Sequence, residues 1–158
     1  MTLYNSTPMS NQKEFKNRKA FFEYEVLEKV EAGIALMGSE VKAIRDGKLN
    51  LSDSYARMDA GELYLVNCHI SEYKSAATFG HEALRKRKLL LHRAEIKKIE
   101  MRIQEKGLTV LPIRVFFNER GLVKIELGIG RGKKHHDKRQ ATKTKEIDRE
   151  IRREMSRR

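Results

Sequence analysis

The segment TVLPIRVFFNERGLVKIELGI, Thr109 to Ile129, decides how the rest of the chain is to be read. Val123, Ile125, Leu127 and Ile129 alternate with Lys124, Glu126 and Gly128, so a strand over Leu122–Ile129 has one apolar face and one polar face. Asn118-Glu119-Arg120-Gly121 is a turn leading back to a preceding strand, Thr109–Phe117. Pro112 lacks an N–H, so it marks an edge or a bulge in that strand. Two such strands do not stand alone in water, and the apolar face needs partners from upstream.

Those partners are legible. Ile96, Ile99 and Ile103 share one face of a helix predicted over Arg93–Lys106 and ended by Gly107. Before it, RKRKLLL (Arg85–Leu91) runs four cations into three leucines and reads as a strand, while Lys74–Ala83 reads as a loop. Tyr55–Met58 and Leu63–Val66 flank Asp59-Ala60-Gly61-Glu62 as a hairpin, followed by a short strand around Cys68–Glu72. Ser39 suits the cap of a short helix with Glu40 in its first turn, Val41 and Ile44 facing inward and Gly47 as its stop. From Phe21 onward, Phe22, Tyr24, Val26, Glu28 and Val30 alternate as in a strand. EAGIALMG (Glu31–Gly38) reads as a further strand between tight turns. The expected fold is mainly β: an antiparallel oligonucleotide-binding-like barrel of about six strands with two or three flanking helices, closed because closure removes exposed edges.

Charge separates this body from its tail. The chain of 158 residues carries a formal +12. Residues 131–158 hold 12 Lys+Arg against 5 Asp+Glu, whereas residues 18–130 hold 20 against 16. The divide falls at GRGKKHHDKR (Gly130–Arg139), a basic stretch without an apolar residue that reads as a hinge. Beyond it Ile147, Ile151 and Met155, spaced i, i+4, i+8, make one narrow stripe on a charged helix that is marginal alone. The expected organisation is a disordered polar segment 1–16, an RNA-binding barrel 17–130, and a basic tail 131–158 that is disordered when free and helical when docked.

Enzyme chemistry finds little support. His135, His136 and Asp137 are adjacent and do not form a chelate by spacing; HExxH and CxxC are absent, and GIGRGKK lacks the spacing of a phosphate-binding loop. No catalytic residue, metal or cofactor is expected. Cys68 reads as a small buried hydrophobe, and a single cysteine fits a reducing compartment. No apolar run is long enough for a membrane span and no secretory signal opens the chain, so a cytoplasmic protein is expected. An excess of cations on a small barrel points to nucleic acid, and RNA is read by stacking as well as charge. Tyr24, Tyr55, Tyr64 and Phe22 suit either a stacking platform or the core; His136, held at the surface by its neighbours, is the better stacking candidate.

Three blocks in order, GIALMGSEVKAIRDGKLNLSDSY (Gly33–Tyr55), RKLLL (Arg87–Leu91) and GRGKKHHDKR, closely resemble the SmpB (small protein B) family, which binds transfer-messenger RNA (SsrA RNA) in bacterial trans-translation. The resemblance covers residues 17 to 158 and implies an adaptor, not an enzyme. Its barrel would bind the tRNA-like domain of that RNA, acting alongside elongation factor Tu with GTP. Its tail would occupy the decoding centre and empty messenger channel of a stalled ribosome, so that the nascent peptide is tagged for degradation. By the same resemblance Glu31, Leu90 and Lys124 belong to the RNA-binding face, with Asn17, Arg18, Lys42, Arg45 and Asn50 near it. Glu31 would accept hydrogen bonds from base amino groups or 2′-hydroxyls, or instead cap a turn. Lys133, Lys134, His136, Asp137, Lys138 and Arg139 would meet the decoding centre, with Ile151 and Met155 on the apolar face of the tail helix. A structural ribosomal protein or general RNA chaperone that binds rRNA permanently is the competing reading; a ribosomal protein is told apart by retention on ribosomal subunits at high salt.

Overall fold

A computed structural model describes residues 13–72, 80–105 and 107–157. Among the described residues, nine strands and four helices follow in chain order: β1 (Glu14–Lys16), α1 (Arg18–Glu23), β2 (Tyr24–Ile34), α2 (Gly38–Arg45), β3 (Leu49–Asn50), β4 (Tyr55–Asp59) and β5 (Glu62–Val66). Then come β6 (His69–Ile70), β7 (Arg87–Leu90), α3 (Arg93–Gln104), β8 (Leu108–Phe117), β9 (Val123–Gly132) and α4 (His135–Ser156).

Six of the strands pair antiparallel in the cyclic order β8–β4–β5–β7–β2–β9 and back to β8, so the sheet closes on itself. β1 adds to the free stretch of β8, and β3 pairs with β6 as a separate two-stranded piece. The expected barrel of about six antiparallel strands is the fold observed. Alternation along β9 sends Ile125, Leu127 and Ile129 inward, where they meet Ala32 of β2, Leu63 and Leu65 of β5, Leu89 of β7 and Val110 of β8, all fully buried. Ile44 of α2 and Ile99 of α3 join the same core. Each such aliphatic side chain contributes about 1.5–3 kcal/mol by leaving water. Pro112 sits at a register shift between β8 and β9, the bulge its missing N–H called for.

The structure corrects several expectations. Phe21 and Phe22 belong to α1, because Asn17 caps a helical turn: its side-chain oxygen accepts from Ala20 N–H at 3.2 Å. The strand through Glu31 is not broken by turns; β2 runs unbroken to Ile34, with one bulge between Val26 and Glu28. Residues 14–16 form β1 on β8 and so fall outside any disordered N-terminal segment; residues 1–12, and the loop from residue 74 to 79, lie outside the described residues. Met37, not Ser39, is the N-cap of α2, and the Ser39 hydroxyl lies 2.9 Å from His81 Nδ1. The basic hinge is short: Gly130 and Arg131 still pair within the barrel, and α4 begins at His135.

Candidate nucleic-acid interface

The pleat of the closed barrel sorts charge outward. Leu90 of β7, Gly33 of β2 and Lys124 of β9 stand opposite one another in register, two residues along β2 from the outward-facing Glu31. Their sequence neighbours Leu89, Ala32 and Ile125 are buried, which fixes this row on the outer face. Leu90 is 51% exposed, and Leu122 across the same cleft is 56% exposed. Gly33 lets the Leu90 side chain lie close over β2: a Cβ there would come within 3.1 Å of Leu90 Cβ. Gly33, Leu90, Leu122 and Lys124 line one cleft of about 410 Å³ with Arg45, at the end of α2. Among the described residues neither Lys124 nor Glu31 has an ion-pair partner. Glu31 lies opposite Glu126, whose carboxylate is taken by Arg114 at 2.8 Å and Lys29 at 3.6 Å.

The remaining expected contacts form a second group. Asn17, Arg18 and Asn50 line a cleft of about 620 Å³ with Glu14, Lys16 and Leu49, between β1 and β3. Asn17 itself is buried, and its amide donates to Leu51 O at 3.1 Å and Pro112 O at 2.9 Å. Its polar atoms are therefore used by the fold, whereas Arg18 and Asn50 are exposed. Lys42 and Arg45 share the last turn of α2, where cations complement the helix dipole; Arg45 also lies 5.9 Å from the Phe117 ring centre. The structure thus brings Leu90, Lys124 and Arg45 together with Glu31 beside them, and sets Arg18 and Asn50 apart.

The cation run Arg85–Lys88 is largely consumed within the protein. Arg87 shares the inward face with Leu89 and is fully buried, donating to Glu40 Oε1 at 2.8 Å and Cys68 O at 2.7 Å. Arg85 donates to the same carboxylate at 2.8 Å, and Lys86 pairs with Asp59. Burial alone pushes the Glu40 carboxyl up, but hydrogen bonds from Arg85, the Met37 N–H and Arg87 outweigh it and hold it below the usual range. Cys68 is buried, and its thiol is pushed up to about 11 by burial, which fits an inert small hydrophobe.

In the tail, His136, Asp137 and Lys138 fall in the first turn of α4, Lys134 is its N-cap and Arg139 is exposed. Ile147, Ile151 and Met155 are 56%, 45% and 74% exposed, an apolar stripe turned to solvent. Lys133 is different: its N–H donates to Glu23 O at 2.8 Å and its ammonium to Phe21 O at 2.9 Å. Gly33 and Leu122 were not singled out from sequence. Leu122 had a readable signal, an apolar residue directly after a turn glycine; the close approach of Leu90 to Gly33 depends on a strand pairing that no local pattern gives.

The model of the SmpB protein family matches residues 14–157. The SsrA-binding protein of a Sulfurihydrogenibium species is 50% identical over 90% of this chain and 93% of its own. That of Desulfitobacterium hafniense is 52% identical over 87% of both. A solved chain described as "tmRNA-SmpB: a journey to the center of the bacterial ribosome" superposes with a TM-score of 0.66 at 44% identity, covering 82% of this chain and 94% of its own.

Proposed function

The chain belongs to the SmpB family, and on that premise we propose that it is the RNA-binding adaptor of trans-translation. It binds the tRNA-like domain of transfer-messenger RNA through the outer face of the barrel and brings that RNA to the vacant A site of stalled ribosomes. The observation that carries the barrel's part is the row Leu90–Gly33–Lys124 beneath Arg45. An exposed leucine lying over a glycine in this open cleft fits the flat, apolar face of a nucleotide, and two cations at the rim fit its phosphates. Glu31, without a cation of its own, accepts from base amino groups or 2′-hydroxyls at the edge of that face.

The tail takes the second task. Supporting this are its net +7, its exposed stripe and its few contacts with the body, which leave α4 available to another surface. His136, Asp137, Lys138 and Arg139 meet the decoding centre, and the rest of α4 lies in the empty messenger channel with Ile151 and Met155 on its buried side. The helix is mobile in the free protein and orders on docking. The protein works without a cofactor and without catalysis of its own, alongside elongation factor Tu with GTP, in the cytoplasm. Among the described residues no helix is long and apolar enough to cross a membrane.

Binding to the isolated tRNA-like domain, measured over a range of salt, tests the barrel site. Lys124→Ala should weaken binding and lower the salt slope by about 0.7–0.9, one phosphate contact's worth. Leu90→Ala should weaken binding at an unchanged slope. If both variants bind as the parent does, this face is not the interface.

A further inference from the structure

Lys133 lies in the basic stretch and looks by sequence like one more phosphate-binding cation. Its surroundings say otherwise. α1 is a six-residue helix with no basic residue in its last turn, and its C-terminal carbonyls point toward the end of β9. The Tyr24 N–H closes back on Ala20 O, which leaves the carbonyls of Phe21 and Glu23 to be satisfied from outside the helix. Lys133 satisfies both, with its backbone N–H on Glu23 O at 2.8 Å and its ammonium on Phe21 O at 2.9 Å. A cation is thereby set against the negative end of the α1 dipole. Arg131, Gly132 and Lys134 on either side are exposed, whereas Lys133 is half-buried. The last barrel pairings, Tyr24 with Gly132 and Leu108 with Arg131, end immediately before it.

We propose that Lys133 is a positioning residue that clamps the root of the tail to the C-terminal end of α1, fixing where and in which direction the tail leaves the barrel. The ammonium cannot serve α1 and a ribosomal phosphate at once, so its contribution to tagging is made through the placement of α4. This rests on the tail's role in the adaptor, and the clamp itself is measurable without RNA or ribosomes.

Backbone ¹⁵N relaxation on the full free chain tests it, with Lys133→Ala, Lys133→Arg and Lys134→Ala compared at matched melting temperature. In the parent protein the heteronuclear NOE should hold the body's value through Lys133 and fall beyond Lys134. Lys133→Ala should move that fall upstream into Arg131 and Gly132. Lys133→Arg, which keeps a charged donor, should restore the parent profile, and Lys134→Ala, which removes an equal charge one residue away, should leave it unchanged. Tagging by Lys133→Ala should fall while affinity for the tRNA-like domain stays at the parent value. A parent-like NOE profile in Lys133→Ala, or equal loosening in Lys134→Ala, overturns the clamp. A shifted profile with undiminished tagging would leave the clamp standing and count against the tail's part in the adaptor.

Discussion

Glu40 shows how a single side chain redirects the meaning of a sequence run. Its carboxylate is fully buried and receives Arg85, Arg87 and the Met37 N–H, tying α2 to β7 and so setting Arg45 against Leu90 across the cleft. Removing one partner of a buried ion pair strands the other charge, so Glu40→Gln should cost about 3–5 kcal/mol in urea denaturation. The pH dependence has a definite sign. The native carboxyl lies below its ordinary value of 4.5, so its contribution is complete above pH 4.5 and is lost as pH falls through the depressed native value. A stability profile from neutral to acid pH should therefore be flatter in Glu40→Gln over that window; parallel profiles would show that Glu40 contributes nothing to acid sensitivity. From sequence, Arg85–Lys88 read as a cation cluster. Period-two alternation with Leu89 could have placed Arg87 inward, but its acceptor lies 47 residues away and had no local signal. Asn17 is a parallel case: its buried amide holds α1, Leu51 and Pro112 together, three contacts that only the folded chain reveals.

Elements with strict alternation and marked ends were readable; a very short helix and a close approach between distant strands were not. The β4–β5 hairpin was given by Asp59-Ala60-Gly61-Glu62, and both central residues do take positive φ, 49° at Ala60 and 78° at Gly61. Asparagine accepts this conformation better than alanine, so Ala60→Asn should stabilise the protein by about 1 kcal/mol, read as a raised urea midpoint at unchanged slope. α1 was hidden because FFEYEVLEKV alternates well enough to pass for a strand, and a six-residue helix offers too few turns to show its own period. Gly130 marks where β9 crosses β2: a Cβ there would sit 2.5 Å from the Glu25 carbonyl oxygen, a backbone atom that cannot swing aside. Gly130→Ala should cost about 1–3 kcal/mol through displacement of β2 against β9. An unchanged midpoint would mean that the two strands separate there without strain. The glycine was visible in sequence only as part of a basic hinge, because the close approach arises from pairing across a hundred residues.

Across the whole molecule, charge is divided unevenly between body and tail. The body is nearly balanced, and many of its cations are paired with its own acids, as at Arg114 with Glu14 and Glu126 or Lys19 with Asp53. The tail holds a net +7 on a helix that touches the body mainly at α1, where Lys145 lies 5.2 Å from the Phe22 ring centre. That partition, the six-stranded barrel and the apolar stripe of the tail were all legible, because composition and periodicity carry them. The cleft was legible only residue by residue through the family's motifs; its shape needed β7, β2 and β9 side by side. The division of labour is tested most directly by comparing the full chain with one stopped after Lys134, for affinity to the tRNA-like domain across salt concentrations and for tagging on stalled ribosomes. Retained affinity with abolished tagging is the expected result. Loss of most of the affinity on truncation would make the tail the principal RNA contact and would contradict the assignment of that site to the barrel.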